Sequence, residues 1–268
     1  MDRRTVRAAV CALSLLSVVS AGACATPIPA SAWPSSPPSP TAQPTSTPSA
    51  TPGAPVELWR GDFDTGNTAQ YDLEAAQPYS ITVADGGPGH PTAGRFEVRD
   101  GDTPVDTGER AEAKPPDITD VAEGDERTYS FSVMFDKSFP QSKRFCIPLQ
   151  WHPAGEDGRA IEGDPPLSLQ CGPQDELSLN LNDETFVPIG TLDRGAWHSY
   201  VLHVKFSHDP QQAFYEVSRD GQVVVPRTVP KKPNLVGPRM YLKLGIYRHP
   251  INTATMVVWY DDVVVYAP

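Results

Sequence analysis

Taken two residues at a time, YLKLGIYRHP (241–250) sets Leu242, Leu244 and Ile246 on one side and Tyr241, Lys243, Gly245 and Tyr247 on the other. That is the period-two pattern of a half-buried strand. RFCIPLQWH repeats it, with Phe145, Ile147, Leu149 and Trp151 alternating against Arg144, Cys146, Gln150 and His152. WHSYVLHVKFS does so again, with Tyr200, Leu202, Val204 and Phe206 opposite His203 and Lys205. Helix signals are nearly absent beyond residue 56. Strands are predicted near 57–63, 78–84, 93–100, 108–113, 127–136, 144–152, 166–171, 176–181, 186–189, 198–207, 212–219, 222–227, 239–248 and 255–266. AFYEVSR and QVVVPRT, joined at Asp220-Gly221, read as a hairpin with a tight turn. So many short antiparallel strands in one domain predict an all-β fold, a two-sheet β-sandwich of jelly-roll type. A closed barrel fits less well, because several strands carry one apolar face and one face rich in functional groups.

The chain ahead of these strands has a different character. Residues 1–25 join a basic start, MDRRTVR, to a short apolar run ending in small residues, the pattern of a signal peptide. SAGAC sets Cys24 where a bacterial lipoprotein would be lipidated, and cleavage after the A-x-A of Ala23 and Ala25 is the rival. Residues 26–55 are uncharged and mostly Pro, Ser, Thr and Ala, so they are expected to stay disordered as a linker. The strands from 56 to 268 form a single domain by expectation, secreted or held at the cell surface, acting as a monomer.

The formal charge is −11, and loss of the leader's Arg3, Arg4, Arg7 and Asp2 leaves 19 basic against 32 acidic residues, −13. A surface this acidic excludes nucleic acid as a partner, and it leaves the membrane reachable only through an N-terminal lipid. Cys146 and Cys171 are the domain's two cysteines, and in an exported protein they are expected to pair as a disulfide.

A glycoside hydrolase needs two carboxylates flanking the scissile bond. No strand face carries such a pair, since the acids cluster in loops such as GEDGR, EGD and EGDER. The polar strand faces instead offer Gln150, His152, His203, Lys205, Tyr241, Lys243 and Tyr247. These suit β-elimination from a uronic-acid polymer, in which a base takes the C5 proton, cations neutralise the carboxylate and an acid protonates the leaving oxygen. Gly245, without a side chain, reads as room for a sugar to approach the backbone. No cofactor is required by this chemistry; Asp62, Asp64 and Asp262 are candidates for a structural Ca²⁺.

GDFDTGNTAQY near the domain start, GERAEA (108–113), LQWH (149–152), GAWHSYVLHVKFS, the Asp220-Gly221 hairpin and YLKLGIYR occur in this order. In these the chain resembles the jelly-roll polysaccharide lyases, most closely the family that groups heparinase I with glucuronan lyases. Alginate lyases of related fold share a looser version. The resemblance implies a lyase acting on a uronic-acid polysaccharide. It implies His152 as base or carboxylate neutraliser and Tyr247 as acid, with the choice of base between them open. It also implies that Gln150 and Arg110 hold the uronate carboxylate, that Lys243 tunes the tyrosine or binds the acid, and that Tyr241, His203, Lys205 and Arg248 line the groove. The arginine strand reads RAEAK where alginate lyases carry R-x-E-L-R, which argues against alginate, and the acidic surface argues against heavily sulfated heparin. The alternative is a carbohydrate-binding jelly roll that kept the groove without the reaction; it has no need of a proton donor.

Overall fold

The computed structural model describes residues 54–103, 108–181 and 185–268; the leader, Cys24 and the linker up to residue 53 lie outside the described residues. In chain order the strands are β1 (Val56–Arg60), β2 (Asp72–Ala75), β3 (Ile81–Ala84), β4 (Ala93–Val98) and β5 (Glu109–Lys114). β6 (Glu126–Phe135), β7 (Cys146–Ala154), β8 (Leu167–Cys171), β9 (Glu176–Leu181) and β10 (Thr185–Thr191) follow. β11 (Trp197–Lys205), β12 (Phe214–Arg219), β13 (Gln222–Thr228), β14 (Arg239–Arg248) and β15 (Met256–Ala267) complete the set. They form two antiparallel sheets. The front sheet has the order β10-β9-β8-β7-β14-β5-β2, and the back sheet β13-β12-β11-β6-β15-β4-β3, with β1 on β15. Every strand expected from the alternation is present. The one missed, β2, is four residues long, too short to show a period.

The core lies between the sheets. Leu149, Trp151, Leu242, Leu244 and Ile246 of the front sheet meet Tyr129, Phe131, Tyr200, Leu202 and Tyr260 of the back sheet, all essentially buried. Trp151 and Tyr129 pack edge to face across this layer, with centroids 4.9 Å apart. Asp220 and Gly221 both have positive φ, 51° and 75°, which the tight turn of a right-twisted hairpin demands.

The alternation in β7 breaks at one residue. Leu149 and Trp151 face the core as expected, but Ile147 turns to the outer face and Cys146 enters the core. Proline explains the slip. Pro148 has no N–H for the ladder, the β7–β14 register shifts between Leu244 and Tyr247, and the Pro148 carbonyl accepts a 2.6 Å hydrogen bond from Tyr260 of the back sheet. The expected Cys146–Cys171 bridge is absent: both cysteines are buried free thiols. They are neighbours, and burial together with a hydrogen bond to Cys146 pushes the Cys171 thiol well above its ordinary value.

Sheet order also corrects the expected groove. His203 and Lys205 lie on β11 of the back sheet, so they share no face with β7 and β14. His203 Nε2 instead meets Glu126 Oε1 at 2.7 Å. Arg248 is fully buried on the inner side of β14, where its Nε donates to Glu109 Oε2 at 2.8 Å, so it cannot line a groove.

Gly245 has a different task from the one expected. Its φ is +139°, and a Cβ there would come within 2.1 Å of the Ala111 carbonyl oxygen and 2.9 Å of Phe96. The missing side chain lets β14 lie against β5 and the core; it does not clear space for a ligand. Gly245→Ala is expected to destabilise the domain by about 2–4 kcal/mol. Urea unfolding measures this, and a loss below about 0.5 kcal/mol would contradict the close approach.

Candidate active site

Four strands of the front sheet, β2, β5, β14 and β7, project side chains into one outer groove of about 540 Å³. Antiparallel register sets the pairs: Tyr241 opposite His152, Lys243 opposite Gln150, Tyr247 opposite Arg110, and Glu74 opposite Glu112. Gln150, His152, Arg110, Tyr241, Lys243 and Tyr247, all expected at the site, therefore do converge. The β7–β8 connection forms the wall. It folds back through Ile161 N donating to the Pro153 carbonyl at 3.0 Å, and Ile161, Glu162, Asp164 and Pro165 face the groove.

A buried charge cluster makes up the floor. Lys243 Nζ lies 2.6 Å from Glu74 Oε1 and 3.6 Å from Glu112 Oε2. Arg110 Nη1 lies 3.3 Å from Glu74 Oε2 and 3.4 Å from Glu112 Oε2. Gln150 Nε2 donates to Glu112 Oε1 at 2.5 Å. Burial pushes the Glu112 carboxyl up, against the pull of Lys243, Arg110 and Gln150. Burial also acts on the more open Glu74, but there Lys243 and Arg110 prevail and hold its carboxyl below the ordinary range. Glu74 was not foreseen from sequence, because DLEA, at four residues, is too short for its alternation to mark a strand.

His152 is half-buried and stacks on Tyr241, with centroids 5.5 Å apart. Its Nδ1 lies 3.0 Å from the Pro153 carbonyl, which can only accept, so Nδ1 carries the proton and Nε2 the lone pair. Burial depresses the imidazole pKa, and the charges of Lys243 and Arg110 lower it further. His152 is therefore neutral at neutral pH. Tyr241 moves the opposite way, pushed up to about 12 by burial and by Glu74 and Glu112, so it stays a protonated donor. Tyr247 sits at the other end of the cluster. Its ring is 4.2 Å from the Arg110 guanidinium and 5.1 Å from the Phe145 ring, and Gly108 packs flat against it, where a Cβ would come within 2.2 Å.

The calcium candidates do not come together as a group. Asp62 accepts from the Asp64 amide, and Asp64 accepts from Thr92. Asp262 accepts from Ser132 and joins His90 and Asp261, whose ligand atoms all lie within 4.8 Å. An imidazole in that set departs from the all-oxygen shell calcium prefers.

The two-sheet sandwich carries, on the outer side of its front sheet, a groove that holds an imidazole, phenols and buried cations. The polysaccharide lyase family matches residues 61–264, and the chain belongs to it. Among curated proteins no sequence match is found. Of solved structures, an endo-β-1,4-glucuronan lyase from the fungus Trichoderma reesei is 15% identical with a TM-score of 0.63, covering 80% of this chain and 96% of that one. A GH131 β-glucanase catalytic domain from Podospora anserina is 13% identical with a TM-score of 0.58, covering 80% and 96%. An alginate lyase in complex with an alginate trisaccharide is 12% identical with a TM-score of 0.53, covering 80% and 100%. At these identities the structures share the fold, and one of them is a hydrolase, so the chemistry must be argued from the groove.

Removing Glu112 should expose how much the floor depends on it. Glu112→Ala leaves Arg110 and Lys243 buried with Glu74 alone, and is expected to cost about 3 kcal/mol in urea unfolding. Glu74→Ala, at the more open edge, should cost clearly less; equal losses would overturn this account of the cluster.

Proposed function

We propose that this polysaccharide lyase cleaves a uronic-acid polymer by β-elimination, with His152 as base and Tyr247 as acid. The observation that carries the reading is one groove in which a neutral imidazole with a free Nε2 and a phenol flank two buried cations and an amide. His152 Nε2 takes the C5 proton of the uronate. Charge builds on the carboxylate, where Arg110, Lys243 and the Gln150 amide stabilise it. The C4–O4 bond breaks as the C4=C5 double bond forms, and the Tyr247 hydroxyl protonates the departing oxygen. The imidazolium and the phenolate then return to their starting states by proton exchange with water.

Register favours a second reading of the base. His152 pairs with Tyr241, six residues from Tyr247, or roughly 20 Å of extended strand before curvature and side-chain length are counted. C5–H and O4 belong to neighbouring atoms of one ring. If a single residue serves both, it is Tyr247, with His152 helping to neutralise the carboxylate.

Incubation with glucuronan, heparan, hyaluronan, pectate and alginate, followed by ultraviolet absorbance of unsaturated uronate, tests the reaction class. On the best polymer, Tyr247→Phe is expected to lower kcat by about 10²–10⁴ with little change in KM, because it removes the proton donor and no bulk. Full activity in this variant would make the groove a binding face and the mechanism wrong.

The pH profile separates the two bases. A base must be unprotonated, so kcat/KM should rise with pH through the depressed His152 value, with its midpoint below that of an ordinary imidazole. His152→Gln should abolish that acid limb. A limb that survives the substitution rules His152 out as the base.

A further inference from the structure

The front sheet continues past Tyr247, and we infer that its far half is a distal subsite for the same polymer, binding a uronate several sugars from the cut. This rests on the uronate reading above and extends it from one ring to a chain.

The register lays out a row across the strands. Lys243 pairs with Gln150, Gln150 with Ser168, Ser168 with Asn180, and Asn180 with Phe186. At about 4.8 Å per strand, Phe186 stands roughly 14 Å from Gln150, a span that several linked sugars would cover. A hollow next to Tyr247 is lined by Phe145 and Asn180, and Phe145 also lines a second cavity of about 540 Å³ beyond it. The hollow shares Asp164, Pro165 and Tyr247 with the groove and Phe145 with this cavity, so the three lie in a row.

The lining of the second cavity has what an acidic sugar needs. Phe186 is 54% exposed, on the outer face of β10 opposite Asn180, while Ile189 of the same strand is buried in the core. An aromatic face left open on the outer side of the sheet is a platform for the C–H face of a pyranose. Gln170 and Ser178 supply an amide and a hydroxyl. Lys143 and Arg144 supply two exposed cations, and neither has an acidic partner within ion-pair distance among the described residues. Most arginines elsewhere in this acidic chain are paired. The acid of the lining, Glu176, is turned back on its own loop, where Oε2 accepts from the Gln174 amide at 2.8 Å.

The test compares the full-length wild-type protein with Phe186→Ala and with Lys143→Ala/Arg144→Ala, on glucuronan and on its short oligosaccharides. All three positions are exposed and outside the catalytic groups, so melting curves should be unchanged. KM for the polymer should rise roughly 3–10-fold in either variant, with kcat kept and short oligosaccharides unaffected. The wild-type KM should climb with salt, and the double variant should flatten that dependence. Retardation in native gels containing glucuronan gives a readout that needs no cleavage, and the variants should be retarded less. If the wild type cleaves while the variants keep its KM and retardation, the subsite is wrong and the lyase reading stands. If the wild type binds, and the variants bind less, without any unsaturated product, the subsite stands and the β-elimination reading falls. A wild type that neither binds nor cleaves glucuronan overturns both for this polymer.

Discussion

The Glu112 carboxylate ties the groove together. It sits on β5 at 2% exposure and is met by Gln150 from β7, Lys243 from β14 and Arg110 from its own strand. Each of these would be costly to bury alone, and a buried ion pair seldom adds net stability over apolar packing. What the arrangement supplies is position. With Glu74 capping the cluster from β2, the two cations and the amide are held by acids on both sides, so their hydrogen-bonding ends have few alternatives.

That constraint needs β5 and β14 in close register, and Gly245 provides it. A side chain at this position would strike the Ala111 carbonyl, so any other residue would push β5 away and pull Arg110 and Glu112 out of reach. The slip at Pro148 acts on the other flank of β14. It turns Ile147 outward beside Tyr247 and sends Cys146 into the core, so β7 sets an apolar side chain next to the phenol while Gln150 and His152 keep their outward direction. The same strand thus presents a dry end next to Tyr247 and a polar end next to His152.

Much of this was legible in the sequence, for a physical reason. Alternation in β14 and β7 is strong because one face is a core, and whatever lies opposite must be outward; Gln150, His152, Lys243 and Tyr247 follow directly. Arg110 came with the resemblance of its strand to known lyases. Strand order carries no such local signal. His203 and Lys205 alternate as cleanly as His152 does, yet β11 belongs to the back sheet. Arg248 shows the limit of a strand's end, where an inward arginine is satisfied by Glu109 and looks like an outward one on paper. Glu74 lies on a strand of four residues and the Ile161–Pro165 wall on a segment without periodicity, so only the folded chain reveals them.

Charge then narrows what the groove can accept. Its cations, Arg110 and Lys243, are already matched by Glu74 and Glu112, and the wall adds Glu162 and Asp164. A heavily sulfated polymer would bring several anions per sugar into a site with no spare positive charge, and the formal −11 of the chain would repel it at long range. On the uronate reading, each ring brings one carboxylate, which would share Lys243 and Arg110 by displacing Glu74, the more exposed of the two acids. Glu112, raised by burial, is the acid that most readily takes a proton when charge is rearranged around it. Lys143 and Arg144, without an ion-pair partner among the described residues, line the second cavity, whose own acid, Glu176, is engaged by the Gln174 amide. On the uronate reading, affinity for an anionic chain is therefore gathered along the far half of the sheet, while the reacting ring sits over a floor kept close to neutral, where each charge that develops is felt strongly.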